Sequence, residues 1–170
     1  LPAVAGTGPR YVQHGAALEA LNEAGQTALH IAAALHHADA CRELVALGAS
    51  LSPRDYRHDY SPLMAAALGD SSGDCVRALL ELGADANARY DCREQKGTAL
   101  HLAAYEGRLG AARALLEAGA DVTSRGRTLI DGVQPLHLAA ISDHVNAPQM
   151  VRLLLEAGAP LSDTAMQGHT

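Results

Sequence analysis

Phenylalanine and tryptophan are absent from this 170-residue chain, and five Tyr are its only aromatic residues. A core built on large rings is therefore excluded, and the 48% hydrophobic content rests mainly on Ala and Leu. Small side chains of this kind suit helices packed at close range. No apolar run approaches the roughly 20 residues that a membrane-crossing helix needs, so membrane insertion is not expected. Basic charge is also in deficit: 13 Lys and Arg against 19 Asp and Glu leave a formal net charge of −6. A general nucleic-acid binder needs a basic footprint, so that class is set aside. Nucleophile elbow, phosphate-cradling glycine loop and Cys–His arrangement are all missing. Catalysis within these residues is not expected, and no cofactor is implied. Cysteines number three, at Cys41, Cys75 and Cys92, without metal-type spacing. Cys41 and Cys75 fall in apolar helical stripes, where a thiol acts as a small hydrophobe. Cys92 falls in a polar loop and is expected to be exposed. Free thiols suit a reducing compartment, so a cytoplasmic location is expected, with the nucleus also open.

What the chain does have is a repeated phrase. It stands as Thr27-Ala28-Leu29-His30, Ser61-Pro62-Leu63-Met64, Thr98-Ala99-Leu100-His101 and Gln134-Pro135-Leu136-His137. The Leu-to-Leu spacings are 34, 37 and 36 residues. An alanine-rich run follows each copy, then a leucine-rich stretch closing on Gly48, Gly83, Gly119 or Gly158, spaced 35, 36 and 39. Periods of this size mark stacked supersecondary units, each burying its apolar face on a neighbour.

The third unit is the clearest. Thr98 is a plausible N-cap for a helix over 99–106, ended by Gly107. A second helix spans Leu109 to Ala118, with Leu115 and Leu116 sharing a face with Ala111 and Ala112. If Leu116 is core, its truncation to Ala should cost ~2–5 kcal/mol. Nine His invite a metal reading, but His30, His101 and His137 occupy one repeat position, and His36-His37 lacks partners at ligand spacing. Glu81, Glu117 and Glu156 also recur in register, the mark of a solvated face rather than an acid–base pair.

These residues resemble the ankyrin repeat, whose pattern reads roughly D-x-x-G-x-T-P-L-H-x-A-A, then G, then L-L-x-x-G-A-D-x-N-A. The unit from Asn22 to Arg54 matches without a gap, while the others carry insertions in the hairpins or helix-to-helix turns. The resemblance implies an all-α solenoid of stacked helix-turn-helix units with projecting β-hairpin loops. Units are expected at 22–54, 55–89, 90–125 and 126–164. Residues 1–21 read as the end of a truncated or capping repeat, and 165–170 as the start of a further one, as in a segment cut from a longer array. The repeated His is implied to hydrogen-bond within and between repeats, with Met64 leaving a weaker network in the second. Asn87, in the Leu79–Ala88 segment, matches the Asn that ankyrin proteins offer to an asparaginyl hydroxylase; the plainer reading is a turn-stabilising Asn.

By the same resemblance, the chain is expected to be a non-catalytic interaction module, binding a partner protein or extended peptide on its concave helix and hairpin face. It would form a segment of an adaptor or scaffold, with a monomer favoured. The alternative is a regulatory or substrate-recruiting domain of a larger enzyme, channel or ubiquitin-ligase receptor. Aligned to the family pattern, Tyr56, Tyr60 and Tyr90 fall in hairpins, and Tyr105 falls near the end of an inner helix. Tyr is enriched in binding hot spots because it joins area to a polar tip. Hairpin segments also hold seven of the 13 basic residues: Arg54, Arg57, Arg89, Arg93, Lys96, Arg125 and Arg127. Interleaved with Asp55, Asp59, Asp91, Glu94 and Asp131, they leave these loops near +2. The expected contact set is therefore Tyr56, Arg57, Tyr60, Arg89, Tyr90, Arg93, Lys96, Tyr105, Arg125 and Arg127. The bland alternative for these loops is solvated polar turns.

Overall fold

Each of the four phrases starts a helix. The computed structural model describes residues 18–93, 95–127 and 131–161. In chain order it pairs α1 (Ala28–Ala34) with α2 (Ala38–Ala46), α3 (Pro62–Gly69) with α4 (Asp74–Glu81), α5 (Ala99–Tyr105) with α6 (Leu109–Glu117), and α7 (Pro135–Ile141) with α8 (Ala147–Glu156). The first helices α1, α3, α5 and α7 pack in series as one row, and α2, α4, α6 and α8 form a second row behind them. This is the helix-turn-helix solenoid that the resemblance implied. Residues 1–17 of the expected N-terminal repeat end, and the expected repeat start at 165–170, lie outside the described residues.

Alanine sets the spacing between rows. Ala66, Ala67, Ala103 and Ala104 are fully buried, and Leu79, Leu115 and Leu154 fill matched places in the second row. Leu115 is the core residue of α6, and Leu116 packs only partly against that core. The truncation cost expected at Leu116 therefore belongs to Leu115, because the helix turns Leu116 toward the outer surface. Every second-row helix stops in the same way. Gly48, Gly83, Gly119 and Gly158 take φ between 83° and 103°, and the following Ala N–H donates back to Leu44, Leu79, Leu115 and Leu154 C=O at 2.9–3.0 Å. A Cβ would meet nothing at these glycines, so the left-handed backbone, not space, demands them.

Asp70 starts α4 from outside the helix. Its carboxylate accepts from the N–H groups of Gly73, Cys75 and Val76 at 2.8–2.9 Å and from the Ser72 hydroxyl at 2.9 Å. Burial alone would raise its pKa, but these four donors outweigh burial and hold the carboxyl below its usual range. The inserted turn here also touches the next repeat: Gly110 N–H donates to Ser71 C=O at 3.2 Å, and a Cβ on Gly110 would stand 2.3 Å from Ser72 backbone.

Repeats are joined through the phrase itself. His30 Nδ1 accepts from the Thr27 N–H at 3.2 Å, which leaves the proton on Nε2, 3.0 Å from the Tyr60 carbonyl of the following hairpin. His101 does the same with the Thr98 N–H at 3.2 Å and the Val133 carbonyl at 3.1 Å. In the last repeat the Gln134 N–H donates to His137 Nδ1 at 3.0 Å. Met64 can only receive, taking the Ser61 N–H on its sulfur at 3.5 Å. The joint that Met64 leaves without an imidazole is held otherwise. Asp91 N–H donates to Asp59 Oδ2 at 3.0 Å, the Cys92 thiol donates to the Arg57 carbonyl at 2.9 Å, and the Tyr60 and Tyr90 rings meet edge to face.

Beyond the joints, the hairpins form one antiparallel sheet: β1 (Arg89–Cys92), β2 (Gln95–Thr98), β3 (Gly126–Arg127) and β4 (Asp131–Val133) in that order, with Lys96 opposite Arg127 where the two hairpins meet. The 55–60 hairpin closes as a turn, by Asp55 N–H to Tyr60 C=O and by Arg57 and His58 N–H on Asp55 Oδ1.

Burial lowers the pKa of His30, and lowers that of His101 from 6.5 to about 4. Unfolded imidazoles take a proton near pH 6.5, whereas folded His101 stays neutral to about pH 4. Across that window the unfolded state binds more protons, so stability must fall as pH falls. The loss at His101 is worth up to about 3 kcal/mol, and the melting temperature should drop by roughly 5 °C or more. Differential scanning calorimetry of the chain and of His101→Gln checks this: the variant should melt lower at neutral pH and show a smaller acid step.

Candidate protein-interaction face

The expected contact residues separate into those that build the hairpins and those left available. Tyr60 and Tyr90 belong to the first group, at 9% and 3% exposure. Their rings lie 5.0 Å apart at 82°, and His58 stacks on Tyr60, also at 5.0 Å. Burial raises both phenol pKa values, so the hydroxyls stay protonated. Tyr90 faces Gly97 across the β1–β2 pair, and its hydroxyl stands 3.0 Å from where a Cβ on that glycine would be. The pair therefore serves first as hairpin packing, and the surface it offers is limited to the wall it gives the pocket beside Tyr105. A strand points alternate residues to opposite sides, and Tyr90 takes the inward side between outward Arg89 and Asp91. That alternation, with Gly97 as the cross-strand seat, was the sequence signal for it.

Most of the basic residues are likewise committed. Arg89 donates to Ser124 Oγ at 3.2 Å and to the Arg125 carbonyl at 2.6 Å. Lys96 Nζ meets Asp91 Oδ2 at 2.7 Å, and Arg127 reaches the Arg93 carbonyl at 3.4 Å and Asp131 at 3.5 Å. Arg54 donates to the Asp59 carbonyl at 2.9 Å. Arg125 is exposed at the next turn. Arg57 and Arg93 differ: both are exposed, and their guanidiniums have no ion-pair or hydrogen-bond partner among the described residues. They flank an open cleft between successive hairpin tips, together with Tyr56, Asp59, Asp91 and Gln95. Tyr56 is 71% exposed and lies across Gly25 of the preceding hairpin, where a Cβ would collide with its ring. Cys92 is half-buried in β1 with its thiol on the Arg57 carbonyl, which corrects its expected place in an exposed loop.

Beside the cleft the first-helix row is apolar. Tyr105 and Ile141 are 49% and 65% exposed and stand at the same distance after the phrase leucine, five residues on from Leu100 and Leu136. Between them lies a pocket of about 330 Å³ whose walls include Leu102, Leu138 and Glu106 and whose hairpin side includes Tyr90 and Gln95. Glu106 sits 3.8 Å from Arg108 and 3.5 Å from His144. Ile31 and Leu35 continue exposed apolar surface on α1 and just after it. Sequence reasoning passed over Ile141, Ile31 and Leu35, although Ile141 was legible from its register with Tyr105.

The remaining candidates are structural in their geometry. Asn87 donates to the Gly119 carbonyl at 3.1 Å and accepts from the Asp121 N–H at 2.8 Å, bridging to the next repeat. An enzyme drawing this side chain into its own pocket must first break both bonds. Cys41 and Cys75 are fully buried with sulfurs 3.7 Å apart; that contact and burial push the Cys75 thiol far up, keeping it protonated. His36 packs its ring over Gly69. Among the described residues no group of three or more His, Cys, Asp or Glu is placed to hold a metal ion, and no helix is long and apolar enough to cross a membrane.

Comparison with known proteins agrees with this geometry. A family model described as ankyrin repeats (3 copies) matches residues 9–90 and 56–126, and a second, ankyrin repeats (many copies), matches 100–155. Among curated proteins, Ankyrin repeat and SOCS box protein 6 of Mus musculus is 40% identical over 82 residues, which is 48% of this chain and 19% of that protein. The Homo sapiens and Pongo abelii proteins of the same name match to the same extent. The matched stretch thus spans about a fifth of these relatives.

Burial separates two tyrosines that sequence treats alike. Tyr90→Ala should destabilise the chain by about 3 kcal/mol or more through a cavity under the hairpins, whereas Tyr105→Ala should stay within about 0.5 kcal/mol of the parent. Urea unfolding of both variants decides it; equal destabilisation would mean that Tyr90 is not a core residue.

Proposed function

The chain belongs to the ankyrin-repeat family, and from that premise we propose that it is a non-catalytic module that binds a protein or an extended peptide on its first-helix and hairpin face. The carrying observation is the apolar pocket between Tyr105 and Ile141, on the last two helices of the first row, with Ile31 and Leu35 exposed further along the same row. Half-exposed Tyr and Ile at a concave site are what a partner desolvates with most gain. The opposite face carries exposed cross-repeat ion pairs, Arg42–Glu81 at 3.4 Å and Arg77–Glu117 at 3.8 Å, which stabilise little and offer no apolar anchor. A cytoplasmic setting fits the buried free thiols.

A second reading is favoured by the relatives: their shared name couples ankyrin repeats to a SOCS box. On that likeness the segment recruits substrates for a ubiquitin-ligase receptor. This reading requires a SOCS box in the protein that carries the segment, and a carrier without one contradicts it.

Site-specific photo-crosslinking tests the binding face. A benzophenone amino acid placed at Tyr105 or Ile141 should give the same discrete adduct in extracts of the source cells, and the same group at Arg113 or Glu156 should not. Adducts only from the outer positions would overturn the assignment of the face.

A further inference from the structure

Taking the first-helix and hairpin face as the binding surface, we propose that its partner is an acidic peptide segment that seats one bulky apolar side chain between Tyr105 and Ile141 and sets a neighbouring carboxylate against Arg57 and Arg93. The pocket and the hairpin-tip cleft adjoin, because Gln95 borders both. One short segment can therefore occupy the two together.

Charge gives the segment its chemistry. The cleft holds Arg57 and Arg93 with Asp59 and Asp91, and Lys96 is bound to Asp91. Two guanidiniums face two carboxylates there, but both carboxylates are already engaged, Asp91 by Lys96 and Asp59 by the Asp91 N–H, whereas the guanidiniums of Arg57 and Arg93 have no partner among the described residues. Elsewhere the chain is acidic, at −6 overall. A planar guanidinium with five donors matches a carboxylate better than any neutral acceptor does. On the far side of the pocket Glu106 is offset by Arg108 at 3.8 Å, so the attraction is directional: it draws acidic residues toward the hairpins and not along the helix-to-helix turns.

The pocket gives it shape. At about 330 Å³ it lies at the small end of ligand-sized sites, enough for a large aliphatic or aromatic anchor rather than a folded surface. Its floor is fixed by packing. Tyr90 is held by Tyr60, Gly97 and the β1–β2 pair, so little ordering is left to occur on binding.

A random peptide library displayed on phage, panned on the 170-residue chain, tests the proposal. Enriched peptides should share a bulky apolar residue with Asp or Glu close by in sequence. By fluorescence anisotropy, a labelled enriched peptide should bind about tenfold or more weaker to Arg57→Glu/Arg93→Glu and to Ile141→Asp. Changing the peptide's acidic residue to Lys should weaken binding to the parent and restore it to the Arg57→Glu/Arg93→Glu variant. Circular dichroism confirms that both variants keep the fold. Peptides lost with Ile141→Asp but indifferent to the charge reversal overturn this inference and leave the binding face standing. Peptides indifferent to both overturn the face as well. No enrichment over bare support overturns the inference alone.

Discussion

His30 and His101 each commit one ring nitrogen to their own helix and the other to the backbone of the next hairpin. Only a neutral imidazole protonated on Nε2 can do both, since Nδ1 must accept while Nε2 donates. Burial enforces that state by making the charged ring costly. One side chain thus starts a helix, fixes the spacing to its neighbour and aims the following hairpin. The four-stranded sheet, the adjoining cleft and the pocket all inherit their alignment from these joints. Where Met64 removes the ring, the joint is rebuilt from Asp59, Cys92 and the Tyr60–Tyr90 pair. Two residues that look like surface contacts in the sequence are there consumed in holding repeats together.

This division of labour explains why a chain with so few aromatics has an identifiable face. Alanine in the interior lets the rows close up, which leaves large side chains on and just after the first helices with nowhere internal to go. Tyr105, Ile141, Ile31 and Leu35 are exposed for that reason. The basic residues sort by the same logic. Those whose side chains point along the sheet find carbonyls and carboxylates of the next hairpin, and those at the tips, Arg57 and Arg93, find no partner among the described residues.

The fold was legible because its signals repeat: four phrases, four closing glycines and two periods in agreement. Local chemistry then reads directly, as with Thr98 before α5 and Gly119 after α6. The site was less legible because a hairpin assignment does not say which way each residue points. Tyr90 falls in a hairpin by its sequence, and its pairing with Gly97 is what reveals that the ring turns inward. Asp70 could be seen as part of an inserted turn, but its four hydrogen bonds depend on how that turn folds back on α4. Which arginines stay free depends on carbonyls some 34 to 36 residues away, beyond any local pattern.

The account stands most directly on the state of one ring. Long-range nitrogen–proton NMR correlation of the His101 imidazole reports its tautomer and its titration together. The structure predicts a proton on Nε2, an unprotonated Nδ1 and a ring that stays neutral until the pH nears 4. A ring protonated on Nδ1, or one that charges near pH 6.5 in the folded chain, would contradict the joint on which the aligned hairpins and their binding face depend.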